Sequence, residues 1–264
     1  MRIKPRFILA AILLIALLLR LFRLTELFHF TMDEELIAWR AWGLFKLNRP
    51  FLIGGISPLQ VHLPPYFYYL ASILLLPFKF NPAGWGIFGA IIGMLTVYCL
   101  YRLTLKLFNQ TTALLAALLQ TFSFTAIAFD RHFWPLNLNP LLTVLPLLLL
   151  TQISLKRFWP YLGLSLVLLL ALSADPSNLT LALSLLAVFI INRRKFNLRY
   201  IFLGLTGLVS LFFIPLFIFD LRHQWQNFAG ISRLWQTAAN HQFDFTGLFS
   251  GLLLLPKTLA RFWF

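Results

Sequence analysis

Apolar side chains in this chain come in long blocks, at 7–24, 85–105, 111–129, 136–155, 159–174, 177–191 and 200–219. Blocks of this kind restrict the fold severely. In an apolar medium the backbone must satisfy its own N–H and C=O groups, which leaves helices or closed barrels. A barrel needs alternating apolar and polar positions over about ten residues, and no such alternation is present. Most blocks approach the ~20 residues that cross a ~30 Å hydrocarbon layer, although 159–174 and 177–191 are short. The chain is 60% hydrophobic and 11% charged, where soluble domains carry about 25% charge. The expected fold is all-α, a polytopic transmembrane helical bundle of about seven to eight spans, with an external first-loop interfacial helix. A single transmembrane domain would cover 1–264: a first span over 1–24, an external loop over 25–84, the helical bundle over 85–219, and an external loop with the possible start of a further span over 220–264.

The net charge of +14 follows from topology rather than from a nucleic-acid partner. Much of it lies in short loops between apolar blocks, where Lys and Arg mark the cytoplasmic side. The N-terminal basic residues Arg2, Lys4 and Arg6 precede the first block, and Leu18-Leu19-Arg20-Leu21-Phe22-Arg23 follows it with no small-residue cleavage site, so the first span is read as uncleaved. Segment 66–78 decides the orientation of everything after it. Its 13 residues are short for a span and suit a re-entrant or interfacial piece. If it does not cross, the cytoplasmic side gathers Arg2, Lys4 and Arg6, then Arg102 and Lys106, then Lys156 and Arg157, then Arg193, Arg194, Lys195 and Arg199. The N-terminus is then cytoplasmic. The alternative is a short tilted crossing. Cys99 lies inside an apolar block and reads as a small buried side chain.

On the first topology all eight acids fall on the outer side: Glu26, Asp33, Glu34, Glu35, Asp130, Asp175, Asp220 and Asp244. Three of them are consecutive in 28-FHFTMDEELIAWRAWGLF-45. The spacing of 31-TMDE-34 predicts a capping box with Thr31 as N-cap and Glu34 reaching back. The helix that follows, roughly 32–47, carries Trp39 and Trp42 as interface anchors and suits a position flat on the membrane. A cap needs one acid or hydroxyl, not three acids. The second reading puts Asp33 and Glu34 at a cavity, where a carboxylate acts as general base toward a hydroxyl or holds a metal near a phosphate. Arg40, two turns after Asp33, would pair with it or hold an anion. His62 is a candidate ligand or proton donor, or an interfacial histidine bonded to a loop carbonyl. Asp130-Arg131 offers a second acid and a forked phosphate donor, or a plain surface pair. Asp175-Pro176-Ser177-Asn178 reads as a turn with a cap. Asp220 and Arg222 pair in a loop or line the same mouth, and His241 and Asp244 are read as solvated.

An apolar first span, a DE pair opening an external helix, Gly54-Gly55-Ile56-Ser57-Pro58, the run 62-HLPPYFYY-69 and an acid-Arg pair before an Asn- and Pro-containing span follow one another in order. This order resembles the GT-C membrane glycosyltransferases, in the branch of protein O-mannosyltransferases and aminoarabinose transferases. The resemblance covers most of the chain and matches the N-terminal transmembrane half of that family. It implies a polyprenyl-phosphate-linked sugar donor, a hydroxyl acceptor (protein, lipid or glycan), and transfer at the outer face of the cell membrane. Asp33 matches the family's catalytic first-loop acid and Glu34 its neighbour, while Asp130 lies in the second acid region. His62 stands where the aminoarabinose branch has a metal-binding acid, so a divalent metal is a candidate cofactor with Asp33, His62 and Asp130 as its ligands. Leu63 and Leu36 replace two basic residues of that branch, leaving Arg40 and Arg131 for the phosphate. Two other classes compete. A transporter or flippase would carry charge at mid-depth, and no obvious one stands in the blocks. A non-catalytic subunit that binds a lipid carrier would keep its properties without Asp33.

Overall fold

The computed structural model describes residues 4–28, 30–57, 61–153, 155–192 and 195–240. Among them the regular elements are helical, with an isolated bridge between Ile56 and His62. In chain order they are α1 (Pro5–Leu21), α2 (Leu24–Leu27), α3 (Met32–Lys46), α4 (Tyr66–Leu75), α5 (Ala83–Leu107), α6 (Gln110–Phe122), α7 (Phe124–Phe129), α8 (Asn139–Leu150), α9 (Trp159–Ala174), α10 (Leu179–Ile191), α11 (Leu198–Arg222) and α12 (Gln226–Asn240). Two of them, α5 and α11, are long and apolar enough to cross a membrane, at 25 residues each. At 1.5 Å per residue each reaches past the ~30 Å hydrocarbon layer. The apolar helices α4, α8, α9 and α10 are shorter.

Several expected blocks have different bounds for local reasons. The block at 111–129 is two helices, because the Ser123 hydroxyl accepts the Ala126 N–H at 3.3 Å and restarts the chain as α7. Segment 66–78 is α4 closed by a 3₁₀ turn, Leu76–Phe78. Pro77 in that turn has no N–H to extend the helix. Phe67, Tyr68, Ala71 and Leu75 of α4 are buried against protein. The expected loop over 220–246 contains α12, whose first turn is capped by Asp220: its carboxylate accepts the N–H groups of Asn227 at 2.9 Å and Phe228 at 3.3 Å. Asp175 caps its turn as expected, accepting from Ser177 N–H at 2.7 Å. Arg193, Arg194, His241, Asp244 and the run 247–264 lie outside the described residues.

The core that positions the site is aromatic. Phe133 stacks on Trp85 of α5 with ring centroids 5.8 Å apart and on Phe67 of α4 at 6.1 Å. All three rings are fully buried, and Trp85 Nε1 donates to the Ala71 carbonyl at 3.0 Å. The turn that follows α7 is thereby fixed against α4 and α5. Ile37 and Ala41 of α3 join the same cluster. A second cluster holds α1, α5 and α6 together, and a third joins α9, α10 and α11.

Candidate functional site

The first turn of α3 divides the labour of its acids. Glu34 is fully buried. Its carboxylate accepts from the Thr31 N–H at 3.0 Å and from the Thr31 hydroxyl, and from His132 Nδ1 at 3.2 Å. Burial works to raise the pKa of this carboxyl, but the bonds from Thr31 and His132 outweigh it, and Glu34 lies below the ordinary glutamate value. Asp33, one residue earlier, is exposed and has no hydrogen-bond partner among the described residues. Glu34 therefore fixes the start of the helix, and Asp33 presents a free carboxylate from that fixed frame.

Asp33 and Arg40 act in opposite senses on Tyr68. Burial raises the pKa of the Tyr68 phenol; Arg40 opposes that shift and Asp33 adds to it. The Arg40 guanidinium is held in place from several sides. Nη1 donates to the Ile53 carbonyl at 3.0 Å and Nη2 to the Gly54 carbonyl at 3.2 Å. Its carbon lies 5.2 Å from the Phe51 ring centroid and 5.9 Å from that of Tyr68, within cation–π range. Burial lowers its pKa, which leaves an arginine charged at any working pH. The glycine pair 54–55 is needed because Tyr68 lies directly on the loop. A Cβ at Gly55 would overlap the Tyr68 hydroxyl, and one at Gly54 would press on the Tyr68 ring at 3.0 Å and the Pro64 carbonyl at 2.8 Å.

Asp130 lies in a different pairing. Its Oδ2 accepts from Arg20 Nε at 2.7 Å, and both side chains are buried. Arg20 Nη1 also donates to the Ala16 carbonyl at 3.0 Å. Two glycines of α5 make room: a Cβ at Gly93 would overlap Asp130 Oδ2 and Arg20 Nε, and one at Gly89 would overlap the Asp130 carbonyl. Burial pushes the Asp130 carboxyl up to about 6 against the pull of Arg20. Arg131 reaches back to α1, with Nη2 donating to the Leu19 carbonyl at 2.9 Å. Three buried donors at this corner have no partner among the described residues: Arg20 Nη2, Arg131 Nε and Trp134 Nε1. The turn thus links α1 and α5 through Asp130 and α3 through His132.

His62 belongs to a third group. Its backbone N–H and its Nδ1 both bond Asn227 Oδ1, at 2.8 and 2.9 Å, and its ring lies 4.9 Å from that of Phe219. Asp33, His62 and Asp130 are the candidate metal ligands. The fold does not bring them into one cluster, and among the described residues no three His, Cys, Asp or Glu side chains gather as a metal site. Asp130 is taken by Arg20 and His62 by Asn227, so this ligand set does not fit a divalent ion. Four residues that matter here carried weak sequence signals. Arg20 stands alone in the last turn of an apolar helix, His132 follows a more conspicuous Asp-Arg pair, Tyr68 is one of three tyrosines in an aromatic run, and Asn227 lies in a polar stretch.

Comparison with known proteins finds one family. The model of the dolichyl-phosphate-mannose-protein mannosyltransferase family matches residues 62–219. The matched stretch contains His62, Tyr68, Asp130, Arg131 and His132 and starts after α3. No curated protein and no solved structure matches the chain.

Proposed function

This chain belongs to the dolichyl-phosphate-mannose-protein mannosyltransferase family, a family of membrane-integral glycosyltransferases, and we propose that it moves a sugar from a polyprenyl-phosphate carrier to an acceptor hydroxyl at the extracytoplasmic face of the membrane. The observation that carries this reading is Asp33, an exposed carboxylate with no hydrogen-bond partner among the described residues, presented near Tyr68 by a helix start that Glu34 locks. In the reaction proposed, Asp33 accepts the proton of the acceptor hydroxyl as its oxygen attacks the anomeric carbon. The carbon–oxygen bond to phosphate breaks with inversion, and polyprenyl phosphate leaves with the bonding pair. That leaving group is stable as an anion and needs no strong acid. Its charge is met by fixed cations. The unpartnered donors of Arg20, Arg131 and Trp134 support a phosphate at the 130–134 turn, and Arg40 adds charge on the side of Tyr68.

Seven apolar segments with basic loops on one side support a multi-pass protein whose N-terminus is cytoplasmic, with an eighth span if the run after 247 crosses. No step is routed through a metal, because the candidate ligands stand apart. The test is transfer in membranes from a panel of radiolabelled polyprenyl-phosphate sugars to endogenous acceptors. Transfer from one donor supports the reading and names the sugar. No transfer from any donor, with the chain present at normal levels, refutes it.

A further inference from the structure

A second cavity adjoins the stretch that holds Arg40. An open, almost wholly apolar groove of about 780 Å³ is lined mainly by α11, with residues of α12, the stretch 61–63, Leu172 of α9 and Leu179 of α10. Its volume is within the roughly 300–1,000 Å³ of pockets that bury small ligands. The walls include Leu179, Val209 and Phe213, and one end is polar, formed by Ser57, His62, Asp220 and Asn227. Residues 53–57 and 61–64 serve both sites: the Ile53 and Gly54 carbonyls hold Arg40, and Ser57 and His62 wall the groove.

The chemistry of the polar end is fixed by hydrogen bonding. Asn227 Oδ1 receives a backbone N–H, that of His62, so the amide cannot be turned the other way. Its Nδ2 then remains a buried donor with no partner among the described residues, on a residue 4% exposed. An amide oxygen only accepts, so the His62 proton facing it sits on Nδ1. An imidazole that carries its one proton on Nδ1 has Nε2 as an acceptor. Asp220 is an acid already spent on the first turn of α12. The end of the groove thus brings together the buried Asn227 amide donor, an imidazole nitrogen and a carboxylate, with no Lys or Arg among the described residues of its lining. A phosphate has only acceptor oxygens and would meet the Asp220 charge with no Lys or Arg beside it among the described lining residues. A hydroxyl both donates and accepts, and suits this end.

Building on the glycosyltransferase reading, we infer that this groove binds the acceptor, and that the acceptor is an uncharged lipid with a hydroxyl-bearing headgroup, its tail along α11 and its head against Asn227 and His62. The donor's phosphate has its own cationic corner at the 130–134 turn, so the two substrates are separated by charge.

The test uses the full chain in phosphatidylcholine nanodiscs and a glucosyl diacylglycerol with a diazirine in its tail. Photolysis and peptide mapping read the label, with no turnover required. Label is expected within 208–231. Unlabelled glucosyl diacylglycerol should displace it about tenfold better than undecaprenyl phosphate does, one good hydrogen bond's worth of preference. Asn227→Leu should cut labelling about tenfold. Val209→Trp fills the groove from an exposed position without removing a contact of the polar end, and should cut it as well. Displacement by undecaprenyl phosphate as good as by the glycolipid would assign the groove to the donor and overturn the inference. Label elsewhere, or label unchanged in both variants, would assign it to ordinary bilayer lipid and overturn it too. Sugar transfer lost in Asp33→Asn would leave the glycosyltransferase reading standing in either case.

Discussion

Replacing Gly93 by alanine adds one methyl group at the point where the Arg20–Asp130 pair presses on α5. The new Cβ would overlap Asp130 Oδ2 and Arg20 Nε, and neither can retreat cheaply. Arg20 is fully buried, and Asp130 is 4% exposed in a turn fixed by Phe133. Separating a buried ion pair costs about 3–5 kcal/mol. Alanine returns about 1 kcal/mol of helix propensity relative to glycine. The net expectation is a loss of about 2–4 kcal/mol, or a fall in Tm of about 5–15 °C for a chain of this size. Thermal unfolding in detergent by intrinsic tryptophan fluorescence reads it. Gly207→Ala is the control, since nothing lies within 4 Å of its added Cβ; its Tm should stay level or rise slightly. In an Asp130→Ala background the cost of Gly93→Ala should shrink below about 1 kcal/mol, because the two residues act on one contact. A Gly93→Ala protein as stable as Gly207→Ala would refute the close-packed pair and, with it, the frame proposed for His132 and Glu34.

Gly55→Ala should push the Tyr68 hydroxyl out of place, lower transfer by about 10- to 100-fold through misplacement of the Asp33 and Arg40 surroundings, and cost about 1–3 kcal/mol; adding Tyr68→Phe, which removes the colliding hydroxyl, should restore the Tm but not full activity, and the absence of any Tm recovery would rule out this contact. Stability should also depend on pH through Asp130, whose carboxyl titrates at about 6 rather than at 3.8. Between these values the folded protein holds a proton that the unfolded chain releases. The group's favourable contribution is therefore complete below about pH 4 and is lost as pH rises through about 6, a total of about 3 kcal/mol. Unfolding scans from pH 4 to 8 should show that decline in wild type and not in Asp130→Asn.

What the sequence revealed was local. The Thr31–Glu34 box and the Asp175 turn lie within a few residues, so spacing alone predicted them, and the apolar blocks announced helices by composition. The pairings that build the site are not local. Arg20 meets Asp130 across 110 positions, Glu34 meets His132 across 98, and His62 meets Asn227 across 165. Each partner taken alone fits a loop or a helix end, and only packing shows which acid is engaged. Asp33 and Glu34 looked equivalent as neighbours in a string of acids; a helix turn points one inward and one outward. The Ser123 break was hidden because a serine in an apolar run reads as a tolerated polar residue, and its cap depends on one side-chain bond. The start of α12 was missed because its capping acid, Asp220, belongs to the preceding helix.

The most direct measurement sets Asp33→Asn beside Asp130→Asn, with transfer rate and Tm taken on the same preparations. Asp33 is exposed and unpaired while Asp130 is buried in an ion pair, so the two acids should separate chemistry from structure. Asp33→Asn should keep the wild-type Tm and lose about 10²–10⁴-fold in kcat, the scale of a general base, whereas Asp130→Asn should change the Tm first. An Asp33→Asn protein that folds normally and transfers sugar at the wild-type rate would contradict the central claim.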